Sequence, residues 1–142
     1  MEIISNFNER NNHLKIIEDC LKLINGDGKI PYDDGFFRQI IAKDVYEHLP
    51  LKVLEETLRE SARVSDRLFV IVPLGDGKKY IIPSYENDVT HIHRQPRDWW
   101  EKKFENANWS VDKFAYTISG MKENYAHYKK GNGFFFLSNK NK

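Results

Sequence analysis

Two polar clusters of the sequence contain residue types that do chemistry, and the first follows short apolar segments. It consists of Asp27, in the turn Gly26-Asp27-Gly28, together with Asp44, Glu47 and His48. A carboxylate just after a strand accepts a hydrogen bond from an exocyclic amine, which is what adenine recognition requires. The carboxyl ends of parallel strands are also where α/β sheets bind ligands. The alternative is that Asp27 is an ordinary turn residue, since Asp and Gly readily form turns.

The second cluster is the segment Asp88-x-Thr90-His91-x-His93. Side chains of an extended segment alternate with a period of two, so His91 and His93 are expected on one side. Imidazole accepts a proton from a hydroxyl or an amine near neutral pH, which makes either histidine a candidate general base. With Asp88 the pair also suggests a zinc or iron site. No third protein ligand is identifiable from the spacing, so we assign no metal ligand. Loop histidines bonded to carbonyls are the remaining alternative.

The elements predicted to position these residues alternate between strands and helices. Strands are predicted at 39–44, 67–72, 109–119 and 134–137, and helices at 51–63 and 96–108. The segment 67–72 is apolar almost throughout, as in strands that are covered on both faces. This order predicts an α/β sheet with an antiparallel edge.

The apolar spacing before residue 25 predicts a further helix over about 14–24, which ends at Asn25-Gly26. The same residues allow a helix that ends near Asp19, followed by a short strand at 21–24. Periodicity does not choose between these two divisions.

In their order along the chain, these motifs resemble those of the class I S-adenosylmethionine-dependent methyltransferases, specifically the type 11 kind. That family has a Gly-Asp-Ala-like turn, a Leu-Pro-Phe-like segment, an acidic turn, a strand and a Glu-His-Leu sequence. The corresponding residues are Gly26-Asp27-Gly28, Ile30-Pro31-Tyr32, Asp34-Gly35-Phe36-Phe37, 39–44 and Glu47-His48-Leu49. The resemblance continues to the second cluster and covers roughly residues 21–138.

The resemblance implies a Rossmann-like methyltransferase sheet, mostly parallel, with an antiparallel C-terminal edge strand. It also implies an enzyme that transfers a methyl group from S-adenosylmethionine to a small-molecule acceptor. Such a displacement rests on positioning and on a base for the acceptor. The implied cofactor-binding residues are Asp27, Ile30, Asp44, Glu47 and His48.

Within that site, the resemblance places Asp27 at the adenine, and Asp44 and Glu47 at the methionine side of the cofactor. His48 would lie near the reactive centre, although it equally suits a structural role in capping the following helix. His91 and His93 would border the acceptor pocket and are the implied catalytic residues.

Some parts of the family pattern are missing. The family's Gly-x-Gly-x-Gly loop, which packs against the cofactor, does not occur, and Phe37-Arg38 stands where Phe-Asp is common. Only Glu9 corresponds by position to the acidic residue that holds the ribose. We therefore expect residues 1–142 to form a single partial domain, truncated at the N-terminal side and lacking the central strand. The exposed ladder would then be covered by closing strands, by another copy of the chain or by a complementing N-terminal chain.

Composition restricts the partners and the location. The chain has 142 residues, 22 Lys+Arg against 21 Asp+Glu, and one cysteine, Cys20. This balance argues against nucleic acid as the main partner and gives no reason to expect a membrane surface. A single cysteine excludes an internal disulfide and a four-cysteine zinc site. The N-terminus is too polar for a signal peptide and no apolar run approaches membrane-spanning length, so we expect a cytoplasmic protein.

Three functions follow from the sequence. The first is an S-adenosylmethionine-dependent methyltransferase. The second is a catalytically inactive remnant that serves as a partner-binding or complementing subunit. The third is a metal-dependent enzyme built on Asp88, His91 and His93.

Overall fold

The computed structural model describes residues 22–142, which contain four strands and two α-helices. The strands are β1 (Phe37–Lys43), β2 (Ser65–Pro73), β3 (Trp109–Ala115) and β4 (Asn132–Asn139). The helices are α1 (Leu51–Val64) and α2 (Arg97–Asn106). Short 3-10 helices cover Tyr46–His48, Pro83–Asn87 and Glu123–Tyr125. The predicted α/β class is therefore confirmed.

The sheet has the strand order β1-β2-β4-β3. β1 is parallel to β2, whereas β4 is antiparallel to both β2 and β3, so three strands share one direction. The expected antiparallel C-terminal strand is present, but it lies inside the sheet, and β3 forms the edge. The interior position fits the sequence of β4, because its central Phe134 and Phe135 are buried on opposite faces.

Residues 22–25 lie in neither a helix nor a strand. Both predictions for this segment, the end of the first helix and the alternative strand at 21–24, are therefore wrong over residues 22–24. The remainder of that helix, Glu9 and Cys20 lie outside the described residues.

Both helices pack on one face of the sheet. The buried residues Leu54 and Leu58 of α1 and Trp100 and Phe104 of α2 belong to one core with Val70 of β2. Their spacing follows the helical period, which is why each helix buries a single stripe. The core fixes α1 directly after the carboxyl end of β1, where the first polar cluster lies.

The opposite face of the sheet has a row of apolar side chains across three strands. Ile41, Phe69 and Phe136 are paired across β1, β2 and β4, and the two phenylalanine rings stack at 4.5 Å. Ile41 is 64% exposed, and Phe36, just before β1, is 59% exposed. Among residues 22–142, β2 is the only strand that pairs with β1, so β1 forms the second edge of the described sheet.

Arg63 of α1 holds the segment that precedes β1. Its guanidinium donates to the carbonyl oxygens of Ile30 and Tyr32, both at 2.9 Å, and to the carboxylate of Asp34 at 2.7 Å. It also donates to Glu60, which accepts a bond from the Ile30 N–H at 3.0 Å. The hydrogen bonds from Arg63 lower the pKa of Glu60 to about 2. Ile30 is thereby fixed against the flank of α1.

This network predicts a loss of stability in acid. The pKa of Glu60 is below its ordinary value of 4.5, so its contribution is present above that pH and is lost as the pH falls towards 2. Because the Glu60 side chain is only 12% exposed, we expect it to contribute about 1–3 kcal/mol. Urea unfolding of wild type and Glu60→Gln should differ by that amount near neutral pH and converge in acid. Equal differences at both pH values would contradict the assignment.

Candidate functional site

Asp44 directly follows β1 and changes the direction of the backbone sharply. Its φ of 55° lies in the left-handed region, which Asp tolerates better than most residues. Its N–H still donates to the carbonyl oxygen of Ile71 on β2 at 3.0 Å, so the residue remains tied to the sheet. Its carboxylate accepts hydrogen bonds from Lys43, at 2.6 Å, and from Lys122.

Lys122 joins this strand end to a segment 78 residues further along the chain. Its side chain is only 9% exposed, and its ammonium also contacts the Tyr85 hydroxyl at 3.2 Å and Asn132 Oδ1 at 3.3 Å. Burial alone would raise the pKa of Asp44 and lower that of Lys122. For Asp44, the hydrogen bonds and charges of Lys122 and Lys43 together outweigh burial and lower its pKa. For Lys122, the hydrogen bonds and charges of Asp44 and Tyr85 together outweigh burial and raise its pKa. Both groups are therefore charged at neutral pH.

A cavity of about 310 Å³ lies beside Lys122, between the segment after β3 and the start of β4. Its lining residues are Tyr116, Thr117, Ile118, Ser119, Met121, Lys122, Glu123, Tyr125, Ala126, Asn132 and Phe134. Two of these residues are bonded to each other, since the Lys122 ammonium donates to Asn132 Oδ1 at 3.3 Å. A small organic molecule therefore has room next to the carboxyl end of β1.

Glu47 lies in the short 3-10 helix that follows Asp44 and is only 1% exposed. Its carbonyl oxygen accepts a hydrogen bond from Ile92 at 2.9 Å, which ties this helix to the second polar cluster. Its carboxylate oxygen Oε2 is buried and has no hydrogen-bond partner. Burial, with a smaller contribution from the negative charge of Asp44, raises the pKa of Glu47 to about 7.

His48 and His91 face one another, with ring centres 4.7 Å apart. Nδ1 of His48 lies 2.8 Å from Thr90 Oγ1, which donates its own proton to Asp88 at 2.5 Å, so the His48 Nδ1–H is the donor. Nδ1 of His91 donates to the carbonyl oxygen of Tyr85 at 2.8 Å. The neutral form of each ring therefore carries its lone pair on Nε2.

The structure thus brings Glu47, His48 and His91 together, with one ligand atom from each lying within 4.8 Å of the others. Asp44, the fourth predicted residue of this region, lies three positions before Glu47 and contributes to its electrostatic environment. Asp44, Glu47 and His48 of the first polar cluster and His91 of the second therefore form one site.

His93 is not part of this group. Its Nε2–H donates to the carbonyl oxygen of Leu49 at 2.6 Å, and its ring packs 5.3 Å from that of Trp99. Burial lowers the pKa of His93. His91 and His93 are both buried and flank the exposed Ile92, as the expected alternation requires, but their ring nitrogens bond to different backbone carbonyls. The metal site expected from Asp88, His91 and His93 is therefore corrected: in the described chain, the group with metal-binding proximity is Glu47, His48 and His91.

Asp27 and Ile30 lie along α1. Asp27 is exposed, and its Oδ1 accepts a hydrogen bond from the Lys29 N–H at 2.9 Å. Gly28 packs so closely on α1 that an added Cβ would lie 2.8 Å from Cβ of Glu56. The turn is therefore held against the helix that follows the site, although neither residue joins the Glu47–His48–His91 group.

Lys122 is the residue of the site that sequence reasoning missed. It follows Met121 in a polar stretch with no strand or helix period, and its partner lies in β1's terminal turn. No local pattern of the sequence indicates such a pairing.

No family model and no curated protein matches the chain. Solved structures do match. A Haloferax volcanii protein classed as a methyltransferase, solved with the Trm112 methyltransferase activator, has a TM-score of 0.65 at 12% identity. The match covers 82% of this chain and 60% of that one.

Two further structures agree with this match. A protein from Bacillus halodurans C-125, also classed as a methyltransferase, has a TM-score of 0.57 at 13% identity, over 80% of this chain and 74% of that one. A SAM-dependent methyltransferase from Aquifex aeolicus has a TM-score of 0.54 at 16% identity, over 82% of this chain and 52% of that one. The chain thus spans between about half and three quarters of these relatives.

The chain therefore has a class I methyltransferase fold. At these identities, the similarity concerns the fold, and function has to be argued from the site. Among residues 22–142, no helix combines the length and the apolar character needed to cross a membrane.

Proposed function

We propose that the chain is an S-adenosylmethionine-dependent methyltransferase of the type 11 kind, acting on a small-molecule acceptor in the cytoplasm. The observation that supports this best is the convergence of Asp44, Glu47, His48 and His91 at the carboxyl end of β1. In open α/β sheets, ligands bind outside the carboxyl ends of the strands. The similarity of the fold to methyltransferases adds a second, independent reason.

The residues present fit one side of such a cofactor. Glu47 Oε2 is a buried acceptor without a partner, which suits a ligand that carries positive charge or donates a hydrogen bond. In the proposal, Asp27 accepts a bond from the adenine amine and Ile30 packs beside it. Asp44, Glu47 and His48 line the methionine side. When bound, the cofactor supplies an electrophilic methyl group.

The residues of the chain then position the acceptor and take its proton. We assign the base to His91, because its Nδ1–H is held by the Tyr85 carbonyl and its Nε2 carries the lone pair. As the acceptor's hydroxyl or amine is methylated, its proton passes to Nε2. Asp88 Oδ2, 3.5 Å from that nitrogen, stabilises the resulting imidazolium. His93, whose Nε2–H is bonded to Leu49, positions the segment instead.

Replacement of Asp27 tests the cofactor site. We expect Asp27→Ala to weaken the binding of S-adenosylhomocysteine, the demethylated product, by roughly tenfold, because one hydrogen bond to a charged group is lost. Isothermal titration calorimetry measures this. Asp76→Ala is a matched control, since Asp76 precedes a glycine in the same kind of exposed turn and accepts a bond from Lys78. Equal losses in both variants would contradict the assignment.

The second candidate is a partner-binding subunit that completes its sheet with another polypeptide. It is favoured by the exposed Phe36 and Ile41 at the edge formed by β1, and by the absence of Gly-x-Gly-x-Gly from the sequence. The Haloferax volcanii neighbour was itself solved with an activator protein. This candidate predicts that the isolated chain gives no heat of binding with S-adenosylhomocysteine, so the same titration separates the two functions.

A further inference from the structure

We propose that Glu47, His48 and His91 form a binding site for a divalent transition-metal ion such as Zn²⁺. Two imidazoles and one carboxylate are a ligand set that zinc and iron(II) both use in proteins. This inference stands apart from the methyl-transfer proposal. Because a bound ion would occupy Glu47, His48 and Nε2 of His91, the roles of these side chains at the cofactor and as a base belong to the metal-free protein.

The three ligand atoms already lie close to the required positions. Oε1 of Glu47 is 3.8 Å from Nε2 of His48, and one ligand atom from each of the three side chains lies within 4.8 Å of the others. Tetrahedral zinc holds its nitrogen and oxygen ligands roughly 3.4 Å apart. The ligand atoms therefore need to approach one another by at most about 1.4 Å, which rotation about the terminal side-chain bonds can supply.

The second nitrogen of each imidazole is occupied in the way that metal-binding histidines require. His91 donates its Nδ1–H to a backbone carbonyl, that of Tyr85. His48 donates its Nδ1–H to Thr90, whose hydroxyl donates in turn to the carboxylate of Asp88. Such outer partners fix the tautomer and orient the ring with Nε2 towards the ion. His93 lacks this property, because its Nε2 is the nitrogen that is bonded.

Two buried polar atoms, one in the cluster and one beside it, have no hydrogen-bond partner. A metal ion with a bound water would supply a partner for each. Glu47 Oε2 lies in a side chain that is only 1% exposed. The Tyr80 hydroxyl is also buried without a hydrogen bond, and its ring centre lies 5.4 Å from that of His91. Unpaired buried groups are rare in proteins and often mark an ion or a water that is absent. Here they indicate a cation at Glu47 and a coordinated water near Tyr80.

The surrounding charges favour a single divalent ion. Glu47 contributes one negative charge when it binds, and Asp88 Oδ2 lies 3.5 Å from the liganding nitrogen of His91. The positive charge of Lys122, which opposes a cation, is already neutralised by Asp44. Three protein ligands leave at least one coordination position open, as in catalytic rather than structural metal sites.

Metal titration of the untagged, chelator-treated full chain tests this inference. We expect one equivalent of Zn²⁺ by calorimetry, and Co²⁺ should give the visible absorption of a four- or five-coordinate ion. His48→Ala and His91→Ala should each weaken Zn²⁺ binding by more than about 100-fold, because outer partners alone are typically worth 10- to 100-fold. Thr90→Val should weaken it by about tenfold for that same reason. The exposed His127, replaced by alanine, is the matched control and should leave binding unchanged.

The variants must be compared as folded proteins, which circular dichroism establishes. Glu47→Gln keeps the shape of the buried side chain and removes its charge, so it reports on ligation even where an alanine variant unfolds. Failure of folded wild type to take up one equivalent of Zn²⁺ would overturn the proposal. Equal affinity in wild type and in the folded His48→Ala and His91→Ala variants would overturn it as well.

Discussion

Asp44→Asn is expected to lower the free energy of unfolding by about 2–4 kcal/mol, because it leaves the buried ammonium of Lys122 without its counter-charge. Breaking a fully buried ion pair typically costs about 3–5 kcal/mol. Because the Asp44 side chain is one-third exposed, we expect a smaller loss here. Asparagine tolerates the left-handed backbone of residue 44, so backbone strain adds little. Urea unfolding at neutral pH measures the loss.

A double-mutant cycle gives this prediction its control. Lys122→Met alone should cost less, because Asp44 keeps its bond with Lys43 and its contact with water. The double variant Asp44→Asn/Lys122→Met should recover part of the loss, since no charge is then left unpaired. If the two single losses add without interaction, the ion pair does not fasten the segment around Lys122 to the end of β1.

Trp109→Ala is expected to cost about 3–5 kcal/mol, as is usual when a fully buried large aromatic side chain is removed. Trp109 begins β3 and is completely buried, and its indole N–H donates to the carbonyl oxygen of Leu58 in α1 at 3.0 Å. The substitution therefore removes both packing and the bond that joins α1 to β3. Thermal or urea unfolding measures the effect.

Two further tryptophan variants are controls for this loss of unfolding free energy. Trp109→Phe keeps most of the packing and should cost about 1–2 kcal/mol, largely for the missing hydrogen bond and the smaller ring. Trp99→Ala, at a half-buried residue of α2 beside His93, should cost less than Trp109→Ala. A loss at Trp99 that equals the loss at Trp109 would contradict the assignment of the core.

The order of strands and helices was predictable because each has a distinct apolar segment. The exact ends of the strands were not predictable, because polar residues form them. β2 begins at Ser65, whose hydroxyl donates to the Arg67 carbonyl, and β4 ends at Asn139, whose side chain donates to the Ala62 carbonyl. These buried polar residues resemble turn residues in the sequence. The interior place of β4 depends on its pairing with β2, which no local pattern encodes.

The site was predictable in part, for a similar reason. Asp44, Glu47 and His48 follow an apolar strand, and this position alone marks the ligand-binding edge of the sheet. The partnership of Glu47 and His48 with His91 depends on the path of the long segment after β2, which brings the Ile92 N–H to the Glu47 carbonyl. The spacing of two between His91 and His93 correctly placed both side chains on the buried side of the segment, but it did not show that their ring nitrogens have different partners.

The central claim is that the carboxyl end of β1 binds the methyl-donor cofactor, and amide NMR tests it most directly. The isotope-labelled chain is titrated with S-adenosylhomocysteine to about 1 mM, where even weak binding is visible. We predict saturable shifts at residues 27–30, 44–48 and 91, with β3 unaffected. No shifts at that concentration, or shifts confined to β3 and α2, would contradict the account.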